Sequence, residues 1–291
     1  MNWTNKYNIP KHICAWLKTD EYDHDPKVIS ATTLIGPARA WALKRRHENE
    51  LTMDVSDMLA LRIGTAIHDS LEKVEVLNGR DFKEVRFYTD FQGYTISGKM
   101  DAVIDGAIRD NKSTSVNKYL FKDYDDYVKQ FSIYRWILDR NGIEVAPYAW
   151  VDFFFTDWSK KKARESYDYP QIRYKEVKIP LLSLEDTERY IADRLLEFSF
   201  AEQTLPECTK EELWQTETKY AVYRKNKDGS RQQKATKIFG DSEKEEAERY
   251  AADLNGEVEK RPGKVKRCGY CSAAPFCEQF KNFQLAGLLD E

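Results

Sequence analysis

Gly98-Lys99-Met100-Asp101-Ala102-Val103-Ile104-Asp105-Gly106-Ala107-Ile108-Arg109-Asp110-Asn111-Lys112 is the stretch on which the reading of this chain turns. An Asp-Gly pair between short β-branched runs is a strong signal for a two-residue hairpin loop. With Asp105 and Gly106 as that loop, Ile104 faces Ala107, Val103 faces Ile108, and Asp101 faces Asp110. Directly opposed residues of an antiparallel pair point to one face, with Cβ atoms about 4.5–5.5 Å apart. Side chains alternate along a strand, so Lys112 returns to the face of Asp110. Two carboxylates this close repel unless something positive lies between them. A divalent cation resolves the repulsion. The plainer alternative, an exposed ion pair between Lys112 and one aspartate, is worth little and leaves the aspartate pair unexplained.

Outward from the hairpin, apolar periodicity predicts helices over 33–48 and 57–77, the second carrying a stripe of Met58, Leu61, Ala66, Leu71, Val74 and Leu77. Strands are predicted over 84–89, 93–103 and 107–114, then a helix near 124–140. Ala149 to Phe155 reads as a buried strand, Ile172 to Ile179 as an alternating one, and Leu184 to Phe200 as a helix buried through Leu184, Ile191, Leu195 and Phe198. The order α-β-β-β-α-β predicts an α/β fold with a mixed central sheet flanked by helices and a helical N-terminal region. Beyond residue 208 the character changes. Asn226 to Gly229 marks a second hairpin, and 209–263 reads as a small ββαβ insertion whose Tyr220, Tyr223 and Phe239 form its own core. The expected domains are a core over 1–207, the insertion over 208–263, and a cysteine-containing tail over 264–291 that packs back on the core.

Composition narrows the function. Of 291 residues 41% are hydrophobic and 33% charged, as in a soluble globular protein, and no apolar run approaches a membrane span. The first residues, Met1-Asn2-Trp3-Thr4, lack the apolar core of a signal peptide, so a cytoplasmic location is expected. A net charge of −3 gives no global attraction to nucleic acid; local basic patches occur at Lys44-Arg45-Arg46, Lys160-Lys161-Lys162 with Arg164, and Lys260 to Arg267. Without a Gly-rich Lys-Ser/Thr phosphate loop, no ATP-driven motor is expected.

Three further elements join the hairpin. Gly64-Thr65-Ala66-Ile67-His68 lies upstream, Gln130-Phe131-Ser132-Ile133-Tyr134 downstream, and their order relative to Asp101 and Asp110-x-Lys112 resembles the RecB-like branch of the PD-(D/E)XK nuclease superfamily. The resemblance implies a PD-(D/E)XK core and a Mg²⁺ or Mn²⁺ ion held by His68, Asp101, Asp110 and the Asn111 carbonyl. It makes Asp101, Asp110 and Lys112 the catalytic set, with Lys112 orienting a water or stabilising charge on phosphorus. Gln130 and Tyr134, one helical turn apart, would line the substrate channel, and Arg39 beside Lys44-Arg45-Arg46 would steer phosphates. The implied activity is a metal-dependent DNA nuclease, an exonuclease of recombination, repair or phage genome processing in a bacterial or phage-infected cell. Single-stranded or duplex DNA ends are its expected partners, with a helicase or recombinase alongside. A non-catalytic DNA-end-binding module is the alternative.

Cys268-Gly-Tyr-Cys271-Ser-Ala-Ala-Pro-Phe-Cys277 places three thiols within ten residues, a spacing that usually holds a metal in a reducing compartment. It resembles the iron–sulfur staple of RecB-like nucleases, including those of CRISPR adaptation. In those proteins a fourth cysteine precedes the histidine helix, where this chain has Gly36; Cys14 lies further upstream. Three readings stand: a [4Fe–4S] cluster using Cys14, Cys268, Cys271 and Cys277, a Zn²⁺ site completed by His or Asp, or packed thiols without metal. Cys208 is expected to be a lone buried thiol.

Overall fold

The computed structural model describes residues 2–19, 27–74, 79 and 81–290. It divides into two compact units, Met1–Trp41 with Asn49–Thr204, and Ala42–Glu48 with Leu205–Glu291. The first contains β1 (Asn2–Thr4), α1 (Lys11–Lys18), β2 (Val28–Ser30), α2 (Ala31–Leu34), the start of α3 (Ala38–Arg46), β3 (Thr52–Asp54), α4 (Leu59–Glu72) and β4 (Phe82–Phe91). It continues through β5 (Tyr94–Ile104), β6 (Ala107–Thr114), α5 (Val116–Phe121), α6 (Asp125–Arg140), β7 (Tyr148–Phe155), α7 (Lys160–Glu165), β8 (Tyr174–Pro180) and α8 (Leu184–Thr204).

The central sheet runs β4-β5-β6-β7-β8, with β2 beside β5. It is mixed: β4–β5, β5–β6 and β7–β8 are antiparallel, while β6–β7 and β2–β5 are parallel. The Asp105-Gly106 turn forms with φ +51° and +72°, the doubly left-handed pair a two-residue hairpin needs. It gives the expected register, Ile104↔Ala107, Val103↔Ile108 and Ala102↔Arg109. Strand β5 pairs with β2 only at Thr95–Ser97 and with β6 only at Ala102–Ile104. Between those segments Gly98 to Asp101 lie at a fork in the sheet. Helix α6 covers this region with Phe131, Ile133, Tyr134, Trp136 and Ile137 buried, each such side chain worth about 1.5–3 kcal/mol of apolar burial.

Several boundaries differ from the periodicity reading. The helix expected over 33–48 is two helices, because Pro37 lacks an N–H and disfavours helical backbone at Gly36. Buried Arg194 satisfies the carbonyls exposed by that break, donating from Nε to Leu34 at 3.0 Å and from Nη2 to Gly36. The helix expected over 57–77 begins as a tight turn at Val55–Met58 and is helical over Leu59–Glu72; Leu77 lies outside the described residues. Its expected stripe is not the buried face. Leu61 and Val74 are exposed, as is Ala66, and the face carrying Gly64 approaches β6, where a Cβ on Gly64 would sit 3.0 Å from Ser113 Oγ. Helix α5 has no counterpart in the sequence reading, and β8 starts at Tyr174, leaving Ile172 exposed.

The second unit holds β9 (Lys219–Tyr223), β10 (Lys237–Phe239), α9 (Lys244–Asp253), β11 (Glu257–Arg261) and α10 (Glu278–Leu285). Its sheet order is β10-β9-β11, the expected ββαβ unit, and Tyr220, Val222, Phe239, Ala247 and Ala251 form its core. The tail residues Ala273 and Cys277 pack on Leu43, and Phe276 stacks on His47 at 4.1 Å. The tail, expected on the core of residues 1–207, thus meets the part of that stretch that belongs to the second unit. No helix among the described residues is long and apolar enough to cross a membrane.

Candidate metal centre

The β5–β6 register brings Asp101 and Asp110 to the fork. Beyond Ala102↔Arg109 the ladder stops, and the Asn111 amide donates instead to the Asp101 carboxylate at 2.8 Å. Helix α4 delivers His68, whose Nδ1 lies 3.1 Å from Asp101 Oδ2. Lys112 Nζ lies 2.5 Å from Asp110 Oδ2. The five residues His68, Asp101, Asp110, Asn111 and Lys112 are therefore gathered at one place.

Their electrostatics are unlike those of a surface salt bridge. Asp110 is only 2% exposed. Burial, with Asp101 adding to it, pushes its carboxyl up to about 6 despite the Lys112 charge. Burial works in the same direction on Asp101, but His68, Lys112 and the Asn111 amide outweigh it and hold that carboxyl below its usual value. Hydrogen bonding to Asp101 pushes His68 up against the effect of burial, with the Asp101 and Asp110 charges contributing. Burial favours a neutral Lys112, yet Asp110 and Asp101 together raise it, so the side chain is a fixed ammonium.

Gln130 and Tyr134 form the wall beside this group. Both are buried, and Gln130 Nε2 donates to Tyr134 Oη at 2.8 Å. Tyr134 is raised chiefly by burial and also by Asp110, which places its hydroxyl within the field of the acidic pair. Gly98 allows the approach: a Cβ there would meet Tyr134 Cδ1 at 2.8 Å and Ile137 Cδ1 at 3.2 Å. Lys112 also faces the Tyr127 ring, 5.9 Å from its centroid.

The donor set fits a hard divalent cation. Carboxylate oxygens suit Mg²⁺, and the imidazole extends the match to Mn²⁺. The clearest sign is Asp110, a fully buried carboxylate whose ammonium partner, Lys112 at 2.5 Å, also lies in the field of Asp101, so that two acids share one lysine.

One residue escaped the sequence reading. The ligand atoms of His68, Glu84 and Asp101 all lie within 4.8 Å of one another, and among the described residues this is the group that gathers three metal-ligating side chains so closely. The signal was present in the turn Gln92-Gly93, whose φ values of +48° and +82° close the β4–β5 hairpin. Counting from Phe91↔Tyr94 through Lys83↔Ala102 places Glu84 opposite Asp101.

Other expected site residues are not members of this group. Arg39 is buried, 8% exposed, and engaged with neighbouring groups, so it offers no open guanidinium to a phosphate. Lys44, Arg45 and Arg46 are exposed and belong to the second unit. Cys14 lies in the first unit, where its thiol donates to the Ile9 carbonyl at 3.2 Å and accepts from Asn5 at 3.4 Å. Cys268, Cys271 and Cys277 lie in the second unit, and burial with the two neighbouring thiols pushes Cys268 up to about 11. A tetrahedral zinc site holds its thiolates roughly 3.8 Å apart; these three are not gathered that closely. Cys208 is half-buried.

The sequence profile of the PD-(D/E)XK nuclease superfamily matches residues 38–278. Among curated proteins none matches the chain. Solved structures that match the chain include SSO0001, at 19% identity and a TM-score of 0.44, covering 63% of this chain and 83% of that one. Another is a candidate exonuclease from Eubacterium rectale, at 14% identity and a TM-score of 0.31, covering 64% of this chain and 71% of that one.

Proposed function

Since the chain belongs to the PD-(D/E)XK nuclease superfamily, we propose that it is a divalent-metal-dependent deoxyribonuclease of the RecB-like type, acting as an exonuclease on DNA ends. The observation that carries this reading is the fully buried Asp110 carboxylate, paired with the Lys112 ammonium at 2.5 Å and opposite Asp101 across the fork. A purely structural ion pair has no use for a second carboxylate there.

A divalent ion held among Asp101, Asp110, His68 and the Asn111 carbonyl would supply Lewis acidity and a water of lowered pKa. The protein's own residues do the rest. Lys112, fixed as an ammonium, donates to the attacking water or to the phosphoryl oxygen on which charge grows, and does not serve as a base. Asp101 receives the Asn111 amide and the His68 imidazole, which fix its carboxylate plane. Tyr134, locked by Gln130, presents its hydroxyl beside the acidic pair and positions the scissile phosphate.

DNA processing in recombination, repair or phage genome maturation, with a helicase or recombinase as partner, is the setting proposed for this chemistry. The cysteines of the tail are proposed to hold a metal centre of structural kind. Cleavage of end-labelled single-stranded, duplex and flap DNA with Mg²⁺ or Mn²⁺, against EDTA, tests the reading. Metal-dependent release of nucleotides from ends is the expected result. Binding of DNA ends with no cleavage under any metal would leave the non-catalytic module instead.

A further inference from the structure

Strand β6 ends at Thr114, two residues past Lys112, and α5 begins at once at Val116. The turn between them is held by Asp157, whose carboxylate accepts from the amide of buried Val116 at 2.7 Å. Helix α5 ends after six residues, where Lys122 takes left-handed backbone, φ +53°, and turns the chain into α6. Tyr127, in the first turn of α6, becomes the common neighbour of two lysines. Lys112 Nζ lies 5.9 Å from its ring centroid and Lys118 Nζ 5.2 Å. Phe131, Phe153 and Tyr124 surround the ring at 5.9, 6.1 and 6.3 Å and hold it in place.

The two ammonium groups are not equivalent. Lys112 is paired with Asp110 and lies in the field of Asp101 as well, so acids balance its charge before any substrate arrives. Lys118 is held more loosely: Asp123 lies 3.7 Å away with a side chain 73% exposed, a surface pair worth little. A polynucleotide carries a charge at every step, and the phosphates beside the scissile one attract cations of their own. Three residues past Lys118, and so its neighbour on the helix surface, Phe121 is 78% exposed. An open ring beside a loosely paired lysine matches what an unpaired nucleotide offers, an anion with an aromatic base attached. We propose that Lys118 and Phe121 form a nucleotide subsite next to the metal centre, Lys118 binding the phosphodiester adjacent to the scissile one and Phe121 stacking on an unpaired base, so that the substrate is a single-stranded end. This deepens the nuclease reading and rests on it.

Tyr127 supplies the competing explanation, since Lys118 could exist only to cover that ring, a modest contact near a surface. That contact does not account for Phe121. Tyr119, on the same helix, packs on Phe155 at 5.9 Å, while the Phe121 ring stands in solvent and Leu120 beside it is exposed too. The end of α5 thus presents an apolar patch next to a cation. A duplex keeps its base faces stacked on one another and would offer this patch only its backbone, whereas a single strand offers both parts of a nucleotide.

The test is fluorescence anisotropy of labelled oligonucleotides on the full chain with Ca²⁺, with cleavage in Mn²⁺ measured alongside. The wild type is expected to bind single-stranded DNA at least about tenfold more tightly than blunt duplex of the same sequence. Lys118→Met is expected to weaken single-strand binding about tenfold, to raise KM more than it lowers kcat, and to reduce the slope of log Kd against log salt by about 0.7, the share of one phosphate contact. Lys118→Arg is expected to restore affinity and slope. Phe121→Ala is expected to weaken single-strand binding about fivefold or more with the salt slope unchanged. Asp123→Asn frees the ammonium from its acid and is expected to bind at least as tightly as wild type. Unchanged affinity and salt slope in Lys118→Met overturn the proposal, as does a Phe121→Ala protein that binds like wild type, an Asp123→Asn protein that loses binding as Lys118→Met does, or a wild type that prefers duplex. A wild type that neither binds nor cleaves DNA fails at an earlier step, because it removes the nuclease reading itself.

Discussion

Asp110→Asn should make the metal-free protein more stable. In the folded chain the Asp110 carboxyl is held up to about 6, against an ordinary value of 3.8, mainly because burial penalises its charge. A group with a raised acid pKa binds more protons folded than unfolded, so stability falls as pH rises between those two values and is flat above the upper one. A shift of about two units corresponds to about 3 kcal/mol at pH 7. Asparagine resembles the protonated carboxyl in shape and never carries the charge, so the variant recovers about that amount. For a unit of some 200 residues this means roughly 6–12 °C in Tm.

The assay is thermal unfolding of both proteins in EDTA at pH 7 and pH 4. The variant is expected to melt higher at pH 7. At pH 4 the folded wild type has already taken up the proton and most of the difference disappears. Asp101→Asn gives the opposite sign, because that carboxyl is held low by His68, Lys112 and the Asn111 amide and its charge stabilises the fold at neutral pH. Saturating Mn²⁺ raises the wild type and not Asp110→Asn. If Asp110→Asn melts no higher than wild type at pH 7, or gains as much at pH 4, the burial penalty on the Asp110 charge is not there and the argument for the metal weakens with it.

Lys112→Ala is expected to lower cleavage of labelled DNA by at least about 100-fold with metal affinity retained, since the lost donor acts on the transition state; near wild-type turnover would remove Lys112 from the chemistry. His68→Ala should move the Mn²⁺ concentration for half-maximal activity upward more than it lowers Tm, and an unchanged metal dependence would make His68 a packing residue. Gly98→Ala drives a Cβ to 2.8 Å from the Tyr134 ring and should cost about 1–3 kcal/mol of stability while displacing the Gln130–Tyr134 pair, visible as reduced activity at temperatures where the fold is intact. Anaerobically purified protein should carry iron with sulfide, or zinc, that Cys271→Ser removes; a preparation with neither makes the three tail cysteines packed thiols.

The hairpin was legible because its turn chemistry is local. Asp-Gly takes left-handed backbone readily, and once the loop is two residues long every pairing follows by counting. The same logic at Gln92-Gly93 would have found Glu84, but glutamine is a weaker turn signal than aspartate or asparagine and the strand was read as starting at Glu84 itself. Helix α6 was legible as a helix, yet the burial of Gln130 was not: a glutamine becomes a core residue only when a partner such as the Tyr134 hydroxyl satisfies it. Helix α4 misled in the other direction. Its apolar residues at Leu59, Leu61 and Ile63 are exposed, and the face turned to the sheet is chosen by what fits against β6, which is glycine, not by hydrophobicity. The break at Pro37 lay in plain view, and apolar periodicity across it outweighed the missing N–H.

The misreadings at Glu84, Gln130 and α4 gather around the fork in the sheet, and that placement has a physical reason. A row of carboxylates across adjacent strands works against pairing, Glu84 in left-handed backbone costs of order 1–3 kcal/mol, and burial of the Asp110 charge outweighs what Lys112 returns, as its raised carboxyl shows. A sheet built for stability alone would place apolar side chains at all three positions. The buried face of α6, with Trp136, Phe131 and Ile137 fully enclosed, provides the surplus that lets the fork persist. A cation bound there neutralises the row, so binding free energy appears directly as folding free energy. The metal-free protein should therefore open first at the fork, and amide exchange at Asn111, whose N–H rests on the Asp101 carboxylate, should slow on adding Mn²⁺ more than exchange along β7, which is paired on both edges.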